Sequence, residues 1–244
     1  MSKALRLTVI ALILFTPYAL FFRLFGVSFV YSYAALSVIF LSWARVKARI
    51  NVENLIKNHQ TRRLTKEYEY LDTELSFLSQ KLKIRKPKVY LSSLNELSAT
   101  VTGLDGEMQI IVSEPLIKTL TESELRAVLS HELSHLALKD TSFIIYVQGL
   151  LSIGAFPMSQ LLFSLSLKKD DEPFIFELLM NFSSLLIAFH FFRNSEHAAD
   201  KMSLNLVKKE ELIRALRKLY GPNQPLKSNY FSSHPSLSER ISAL

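Results

Sequence analysis

Residues 121–136 read TESELRAVLSHELSHL. Thr121 and Glu124 are three positions apart and form a capping box, which predicts that a helix begins at this point. The apolar face of this helix contains Leu125, Val128, Leu129 and Leu136. The stretch is therefore predicted to be a helix with an apolar face, and it carries the motif on which the function depends.

Residues 131–135 of that helix form an HExxH motif. His131 and His135 are four positions apart and lie on one helical face, so both imidazoles can reach one ion. Glu132 can reach a water bound to that ion and take its proton. Neutral imidazoles suit Zn²⁺, and the motif therefore indicates a zinc site. By itself the motif is of moderate specificity, and two surface histidines on an ordinary amphipathic helix are the alternative.

A catalytic zinc site needs a third protein ligand, and a chain without Cys must supply it from His, Glu or Asp. Residues 193–200, RNSEHAAD, offer the strongest candidate. Glu196 and Asp200 share a helical face, so Glu196 can ligate while Asp200 accepts an N–H from a ligating imidazole. His197 points about a quarter-turn away and is interpreted as a bystander. A solvated surface charge is the alternative for Glu196.

The composition of the 244-residue chain excludes several classes of protein. Apolar residues make up 49% and charged residues 21%, which excludes global disorder. With 6 Gly and 8 Pro the chain is poor in turn residues, which argues against a collagen or a turn-dense β-sandwich. The absence of Cys excludes a disulfide framework, a thiolate metal site and a cysteine nucleophile.

Four long apolar runs predict membrane-spanning segments. They are residues 7–22, 24–44, 143–167 and 174–192. The first two contain no charged residue and are interpreted as a retained anchor, with a cleaved signal peptide as the alternative for the first. The last two contain polar residues such as Gln148 and Glu177, so a helical hairpin buried in a large soluble core is the alternative there.

Basic residues decide the predicted orientation and partners. A dense cluster follows the second run and contains Arg45, Lys47, Arg49, Lys57, Arg62, Arg63 and Lys66. The positive-inside bias places this region and the N-terminus in the cytoplasm. The formal net charge is +7, but a basic cluster beside a span favours anionic lipid headgroups. We therefore predict a lipid bilayer and no nucleic acid as partners.

Three further elements are predicted between the second and third runs. Residues 45–83 contain no Gly or Pro and carry apolar residues at three- or four-residue spacing, which predicts an amphipathic helix. Pro87 opens a short extended stretch over residues 89–91. Residues 98–102 and 108–112 flank a Gly-containing turn and predict a β-hairpin.

Three motifs in order produce a resemblance to a known family. They are HELSH at 131–135, EHAAD at 196–200 and SHPSLSERI at 233–241. They match the family pattern of HExxH, then E-x-x-A-D, then HP-x-x-x-x-R. From residue 5 to residue 244, the chain resembles the HtpX-type membrane metalloproteases, which are relatives of the CaaX prenyl protease.

The resemblance implies one Zn²⁺ per chain and a role for each matching position. The implied zinc ligands are His131, His135 and Glu196. Glu132 corresponds to the general base, and Asp200 corresponds to a carboxylate that supports the ligands. His234 corresponds to a histidine that stabilises the oxyanion of the tetrahedral intermediate, with a purely structural histidine as the alternative. Arg240 corresponds to an arginine that supports the site.

The resemblance also implies a substrate-binding strand. Residues 96–103, ELSATVTG, are similar to the family's E-I-N-A-x-A-T-G strand, with Ser98 in place of Asn and differences at Thr100 and Val101. An edge strand of this kind would pair with an extended polypeptide substrate through backbone hydrogen bonds. We therefore expect Ser98, Ala99 and Thr100 to bind substrate.

The predicted fold is mainly α with a small β-sheet. It is a multi-pass membrane protein whose zincin-type catalytic domain combines the HExxH helix with an edge strand. Residues 1–44 are expected to form an N-terminal transmembrane hairpin and 143–192 a second hydrophobic hairpin. Residues 45–142 and 193–244 are expected to form the two parts of the catalytic domain.

The predicted function is zinc-dependent hydrolysis of membrane or misfolded proteins, as an endopeptidase of protein quality control. The resemblance implies a prokaryotic inner membrane, with the active site in the cytoplasm. A protease for prenylated C-terminal peptides is one alternative, although the CaaX enzymes carry several additional spans. A catalytically silent membrane scaffold is the other alternative, motivated by the variant residue Ser98.

Overall fold

The structure is a computed structural model, and it describes residues 42, 61–102, 108–140, 173–221 and 234–244. Contacts divide the chain into two compact units. These are Met1–Lys47 with Phe143–Phe191, and Ala48–Ser142 with Phe192–Leu244. The second unit contains all the candidate site residues, and the following paragraphs concern mainly this unit.

Four strands form one sheet. They are β1 (Thr61–Arg63), β2 (Lys88–Ser92), β3 (Ala99–Thr102) and β4 (Gln109–Ser113), in the order β1-β2-β4-β3. β2 is parallel to β4, whereas β1 and β3 run antiparallel to their neighbours. β4 is an inner strand, and most of its residues are buried. β3 lies at the end of the sheet, with one neighbouring strand in the described part of the chain.

Six α-helices complete the described structure. They are α1 (Glu69–Lys81), α2 (Glu114–Thr119), α3 (Glu122–Leu138), α4 (Pro173–Ser203), α5 (Lys209–Tyr220) and α6 (Leu237–Ala243). A short 3-10 turn over Lys66–Tyr68 precedes α1. The prediction of a mainly helical fold with a small sheet is confirmed for these residues.

The helix with the HExxH motif, α3, lies at the centre of this unit. It contacts α1, α5 and β3. Leu129 and Leu133 of α3 are fully buried in one apolar core with Leu75 of α1 and Leu212 of α5. Burying each such side chain contributes about 1.5–3 kcal/mol. The core therefore holds α3 firmly, and with it the two histidines.

Several local predictions are confirmed. Thr121 and Glu124 form the predicted capping box, with Thr121 Oγ1 accepting from the Glu124 amide and Glu124 Oε2 accepting from the Thr121 amide at 2.9 Å. β3 and β4 form the predicted antiparallel hairpin pair. The predicted extended stretch over residues 89–91 lies inside β2.

The prediction of one helix over residues 45–83 is wrong between residues 61 and 68. Thr61–Arg63 is a strand that pairs antiparallel with β2, and α1 begins only at Glu69. The ladder to β2 satisfies backbone groups that a helix would otherwise satisfy, so this non-local pairing outweighs the local helical pattern. Residues 45–60 lie outside the described residues.

The predicted spans receive no test from this structure. Runs 7–22, 24–44 and 143–167 lie outside the described residues, apart from Ser42, and run 174–192 lies within α4. Among the helices of the described ranges, none combines the length and apolar character that crossing a bilayer requires. The membrane spans and the segment boundaries at 44, 142 and 192 stay predictions.

Replacing the capping hydroxyl of α3 tests the part that the capping box plays in stability. Thr121→Ala is expected to lower the free energy of unfolding by about 1 kcal/mol, because an amide in the first turn loses its acceptor. Denaturant unfolding of the full chain in detergent measures the change. Thr121→Ser keeps the hydroxyl and is expected to unfold like the parent. Identical unfolding of all three proteins would show that the cap contributes nothing.

Candidate metal centre

Three ligating side chains from two helices converge on one point. His131 and His135 of α3 have their Nε2 atoms 3.1 Å apart. The carboxylate of Glu196 in α4 faces both, with one oxygen 3.4 Å from His131 Nε2 and the other 3.5 Å from His135 Nε2. Ligand atoms of all three residues lie within 4.8 Å of one another, and no second group of this kind occurs among the described residues.

These separations fit a tetrahedral zinc ion. Two ligand atoms that are each about 2.0–2.1 Å from such an ion lie about 3.3 Å apart. The observed distances are 3.1, 3.4 and 3.5 Å. The two imidazole planes are also nearly perpendicular, at 88°, so each ring presents its nitrogen edge from a different direction. Two imidazoles and one carboxylate are a donor set typical of catalytic zinc.

A buried carboxylate lies behind each histidine. Asp200 Oδ1 is 2.9 Å from His131 Nδ1, and Asp140 Oδ2 is 3.0 Å from His135 Nδ1. A carboxylate can only accept a hydrogen bond, so in a neutral imidazole it would keep the proton on Nδ1 and leave the Nε2 lone pair available to a metal ion. The sequence analysis anticipated Asp200 but missed Asp140. An Asp shortly after the second histidine was the available signal.

Arg240 of α6 contacts the carboxylates of both Asp200 and Glu196. Its guanidinium donates two hydrogen bonds to Asp200, one of them 2.8 Å long, and its Nη1 is 3.2 Å from Glu196 Oε2. The same Nη1 donates to the Tyr220 hydroxyl at 3.1 Å. A buried carboxylate is costly unless it is paired, and a planar guanidinium suits bidentate pairing. Arg240 therefore fixes the positions of Glu196 and Asp200, and Tyr220 is a further neighbour that the sequence analysis missed.

Glu132 is held by the end strand of the sheet. The Val101 backbone N–H of β3 donates to Glu132 Oε2 at 3.2 Å. Burial raises the pKa of the Glu132 carboxyl above its ordinary value, and the imidazoles of His131 and His135 act in the opposite direction. A raised pKa suits a general base that works near neutral pH.

The backbone of β3 shows which groups face away from the sheet. The Ser98 carbonyl accepts from the Ser113 amide at 2.9 Å, and the Ser98 amide donates to Ser113 Oγ at 3.1 Å. Since successive residues of a strand face opposite sides, Ala99 and Val101 direct their backbone groups away from β4. The backbone N–H and C=O groups of Ser98 and Thr100 therefore face β4, whereas those of Ala99 face the outer side of the sheet.

A cavity of about 380 Å³ opens beside the three converging ligands. Its walls include Ala99, Glu132, Glu196, Leu219, Tyr220 and His234. It therefore combines an apolar wall with the proposed base and ligands, which is the usual composition of a binding site for an organic substrate.

The two remaining predicted histidines differ in position. The His234 side chain is 63% exposed, and its Nδ1 lies 3.2 Å from Glu196 Oε1 at the edge of the cavity. His197 does not join the converging ligands, and its buried Nδ1 has no hydrogen-bond partner within the described ranges. This arrangement agrees with the interpretation of His197 as a bystander.

The charges around the site favour a cation. Burial opposes a charged imidazole, yet hydrogen bonds to Asp140 and Glu196 raise the pKa of His135 to about 10. Burial likewise opposes a charged Glu196, yet hydrogen bonds to both imidazoles hold the pKa of Glu196 well below its ordinary value. The carboxylates of Asp140 and Glu196 thus stabilise positive charge on the His135 imidazole, and the imidazoles in turn stabilise the negative charge of Glu196.

Comparison with known proteins identifies relatives along most of the chain. The model of peptidase family M48 matches residues 65–244. The protein named protease HtpX from Buchnera aphidicola subsp. Schizaphis graminum is 29% identical, over 88% of this chain and 84% of its own length. The protease HtpX of Haemophilus influenzae (strain PittGG) is 30% identical, over 71% of each chain. These matches confirm the resemblance drawn from the three motifs.

A solved structure has a similar fold. The crystal structure of S. mikatae Ste24p matches 98% of this chain with a TM-score of 0.63. At 21% sequence identity the likeness concerns the fold alone, and this chain covers 61% of the length of that chain.

Removing Arg240 tests how far the site depends on α6. Arg240→Ala is expected to lower the free energy of unfolding by about 3–5 kcal/mol, because the buried carboxylates of Asp200 and Glu196 would lose the guanidinium that pairs with both. Arg126 is a matched control, since it also binds a carboxylate, Glu74, with two hydrogen bonds but is half-exposed. Arg126→Ala is expected to cost at most about 1 kcal/mol. Denaturant unfolding measures both changes. If the two variants lost equal free energy of unfolding, the role assigned to Arg240 would be refuted.

Proposed function

This chain belongs to peptidase family M48, and we propose from that premise that it is a zinc-dependent membrane endopeptidase. Its family and its cluster of His131, His135 and Glu196 make it a metalloprotease that acts on polypeptides. We propose further that it cleaves membrane or misfolded proteins at the cytoplasmic face. The observation that carries the proposal is the convergence of two imidazoles and a carboxylate next to Glu132, which lines the adjoining cavity.

His131, His135 and Glu196 would hold the metal through the two Nε2 atoms and a carboxylate oxygen. Zn²⁺ in such a site would polarise the scissile carbonyl and lower the pKa of a water molecule. The fit of the observed separations to tetrahedral coordination supports this choice of metal. Asp140, Asp200 and Arg240 would hold the ligands in place.

Glu132 would act as the general base and then as the general acid. It would take a proton from the attacking water and deliver it to the leaving amine. The Val101 amide holds one of its oxygens at 3.2 Å, which restricts the side chain to one orientation. Burial raises the pKa of the Glu132 carboxyl, which favours both the uptake and the return of a proton.

His234 would stabilise the oxyanion that forms on the scissile carbonyl. Its ring lies at the rim of the cavity, near Glu196, and is largely exposed. An imidazole N–H aimed at developing negative charge is a common means of transition-state stabilisation.

The polypeptide substrate would pair with the outer edge of β3. Ala99 directs its backbone groups away from β4 and also lines the cavity. The outward N–H of Val101 already binds Glu132, so Ala99 would exchange the hydrogen bonds with an extended substrate. An extended backbone is accessible only in unfolded or loop segments, which supports misfolded proteins as substrates.

Sequence patterns support the proposed membrane location. The uncharged runs at 7–22 and 24–44 are long enough to span a bilayer, and the basic cluster that begins at Arg45 favours a cytoplasmic side for the region that follows. The region with the metal centre follows that cluster, which supports a site at the cytoplasmic face.

Replacing the proposed base separates metal binding from catalysis. Glu132→Gln is expected to retain one zinc per chain while cleavage of a denatured, fluorophore-labelled protein falls by about 10²–10⁴-fold. Elemental analysis and a cleavage assay on the purified full chain measure the two quantities. Glu67→Gln removes an exposed carboxylate elsewhere and is expected to leave both unchanged. Cleavage by Glu132→Gln at the parental rate would reject the mechanism, and a parent protein without cleavage would favour the silent scaffold.

Removing one outward amide of β3 tests the pairing with substrate. Ala99→Pro is expected to lower kcat/KM for the same substrate about tenfold, since one backbone hydrogen bond is worth about 1–1.5 kcal/mol. The fold is expected to survive, because proline is tolerated at the first residue of an edge strand. Ala99→Ser keeps the amide and serves as the control. Equal kcat/KM for the two variants, with equal zinc content, would contradict pairing at this position.

A further inference from the structure

A carboxylate lies behind each of the two candidate histidine ligands. Asp200 is held by Arg240, which donates two hydrogen bonds to it. Asp140 lies 3.0 Å from His135 Nδ1, and only 3% of its surface is exposed. Asp140 follows Lys139, the C-cap residue of α3, whose backbone conformation contributes to its position.

The helix α3 ends at Lys139, its C-cap residue. This residue has φ 55° and ψ 38°, in the left-handed region, and its amide donates to the carbonyls of His135 and Leu136. In a continued helix, residue 140 would lie about 140° around the axis from His135, on another face. The left-handed turn brings Asp140 back beside His135. A non-glycine residue in this conformation costs about 1–2 kcal/mol, and such strain concentrates at functional sites.

We propose that Asp140 is the positioning residue for His135, holding its Nε2 toward the metal by accepting the Nδ1–H. The inference rests on the proposed function, because it requires that the site binds a divalent cation. It assigns a role to a residue that the three family-like motifs at 131–135, 196–200 and 233–241 do not include.

The chemistry of the neighbours supports a carboxylate in this role. A neutral imidazole carries one N–H and one lone pair, so an acceptor at Nδ1 determines which nitrogen is left to ligate. Ser195 Oγ also lies near His135 Nδ1, at 3.4 Å, but a hydroxyl can both donate and accept and therefore does not select one tautomer. Asp140 is the closer group and can only accept when ionised.

Zinc affinity of the full chain, measured by competition with a chromogenic chelator, tests the proposal. Asp140→Ala is expected to weaken zinc binding about 10–100-fold, the usual effect of removing a group that orients a metal ligand. Asp140→Asn keeps an acceptor oxygen without the charge, so we expect an intermediate loss of about 3–10-fold. Ser195→Ala is the matched control beside the same nitrogen and is expected to change the affinity less than about threefold.

Thermal unfolding of the metal-free proteins separates positioning from a general effect on the fold. Asp140 also pairs with His135 in the metal-free fold, so Asp140→Asn is expected to unfold at a somewhat lower midpoint. A positioning role predicts in addition that this variant binds zinc more weakly at a temperature where the metal-free protein is fully folded. Parental affinity in folded Asp140→Ala would overturn the inference and leave the zinc site intact. If Asp140→Ala does not fold, the zinc affinity of Asp140→Asn is the deciding measurement. An affinity of this variant equal to that of the parent would then overturn the inference. Absence of zinc binding by the parent chain would instead overturn the proposed metal site itself, and the inference with it.

Discussion

Two imidazole nitrogens held 3.1 Å apart, with a carboxylate facing both, are the constraint on which the described structure depends. Two imidazole nitrogens and a carboxylate at these separations favour a positive charge among them. Each nitrogen faces inward because a buried carboxylate accepts the proton on the far side of its ring. Asp200 lies one turn after Glu196 in α4, and Asp140 lies just past α3. The ends of several elements are thereby tied to one point.

The burial of so many carboxylates explains the role of the C-terminal helix. A buried carboxylate without a partner costs several kcal/mol, and a single guanidinium can form ion pairs with two that lie side by side. Arg240 does this for Asp200 and Glu196, so α6 belongs to the site although it supplies none of the converging ligands. Tyr220, at the end of α5, binds the same guanidinium and links α5 to α6. The metal centre and the packing of this unit therefore stabilise each other.

Helical periodicity explains which parts of the site could be predicted from the sequence. His131 with His135, and Glu196 with Asp200, lie inside single helices, where a spacing of four residues determines a shared face. Asp140 escaped this reasoning because the left-handed Lys139 breaks the periodicity just before it. The bond from Val101 to Glu132 escaped it because local sequence does not say that β3 lies beside α3.

In the sheet, too, local sequence patterns predicted only part of the strand pairing. The antiparallel pairing of β3 with β4 was predictable, since the two strands are close together in the sequence. The position of β2 between β1 and β4 depends on residues far apart in the chain, as does the strand at Thr61–Arg63 that replaced a predicted helix. Pairing across such separations is decided by the whole fold rather than by the segment itself.

The location of bound zinc tests the central claim most directly. Crystals of the full chain grown with zinc would provide an anomalous difference map at the zinc absorption edge. The account predicts one strong peak about 2.0–2.2 Å from His131 Nε2, His135 Nε2 and a carboxylate oxygen of Glu196. A peak elsewhere, or a peak at the histidines with Glu196 beyond coordinating distance, would contradict it.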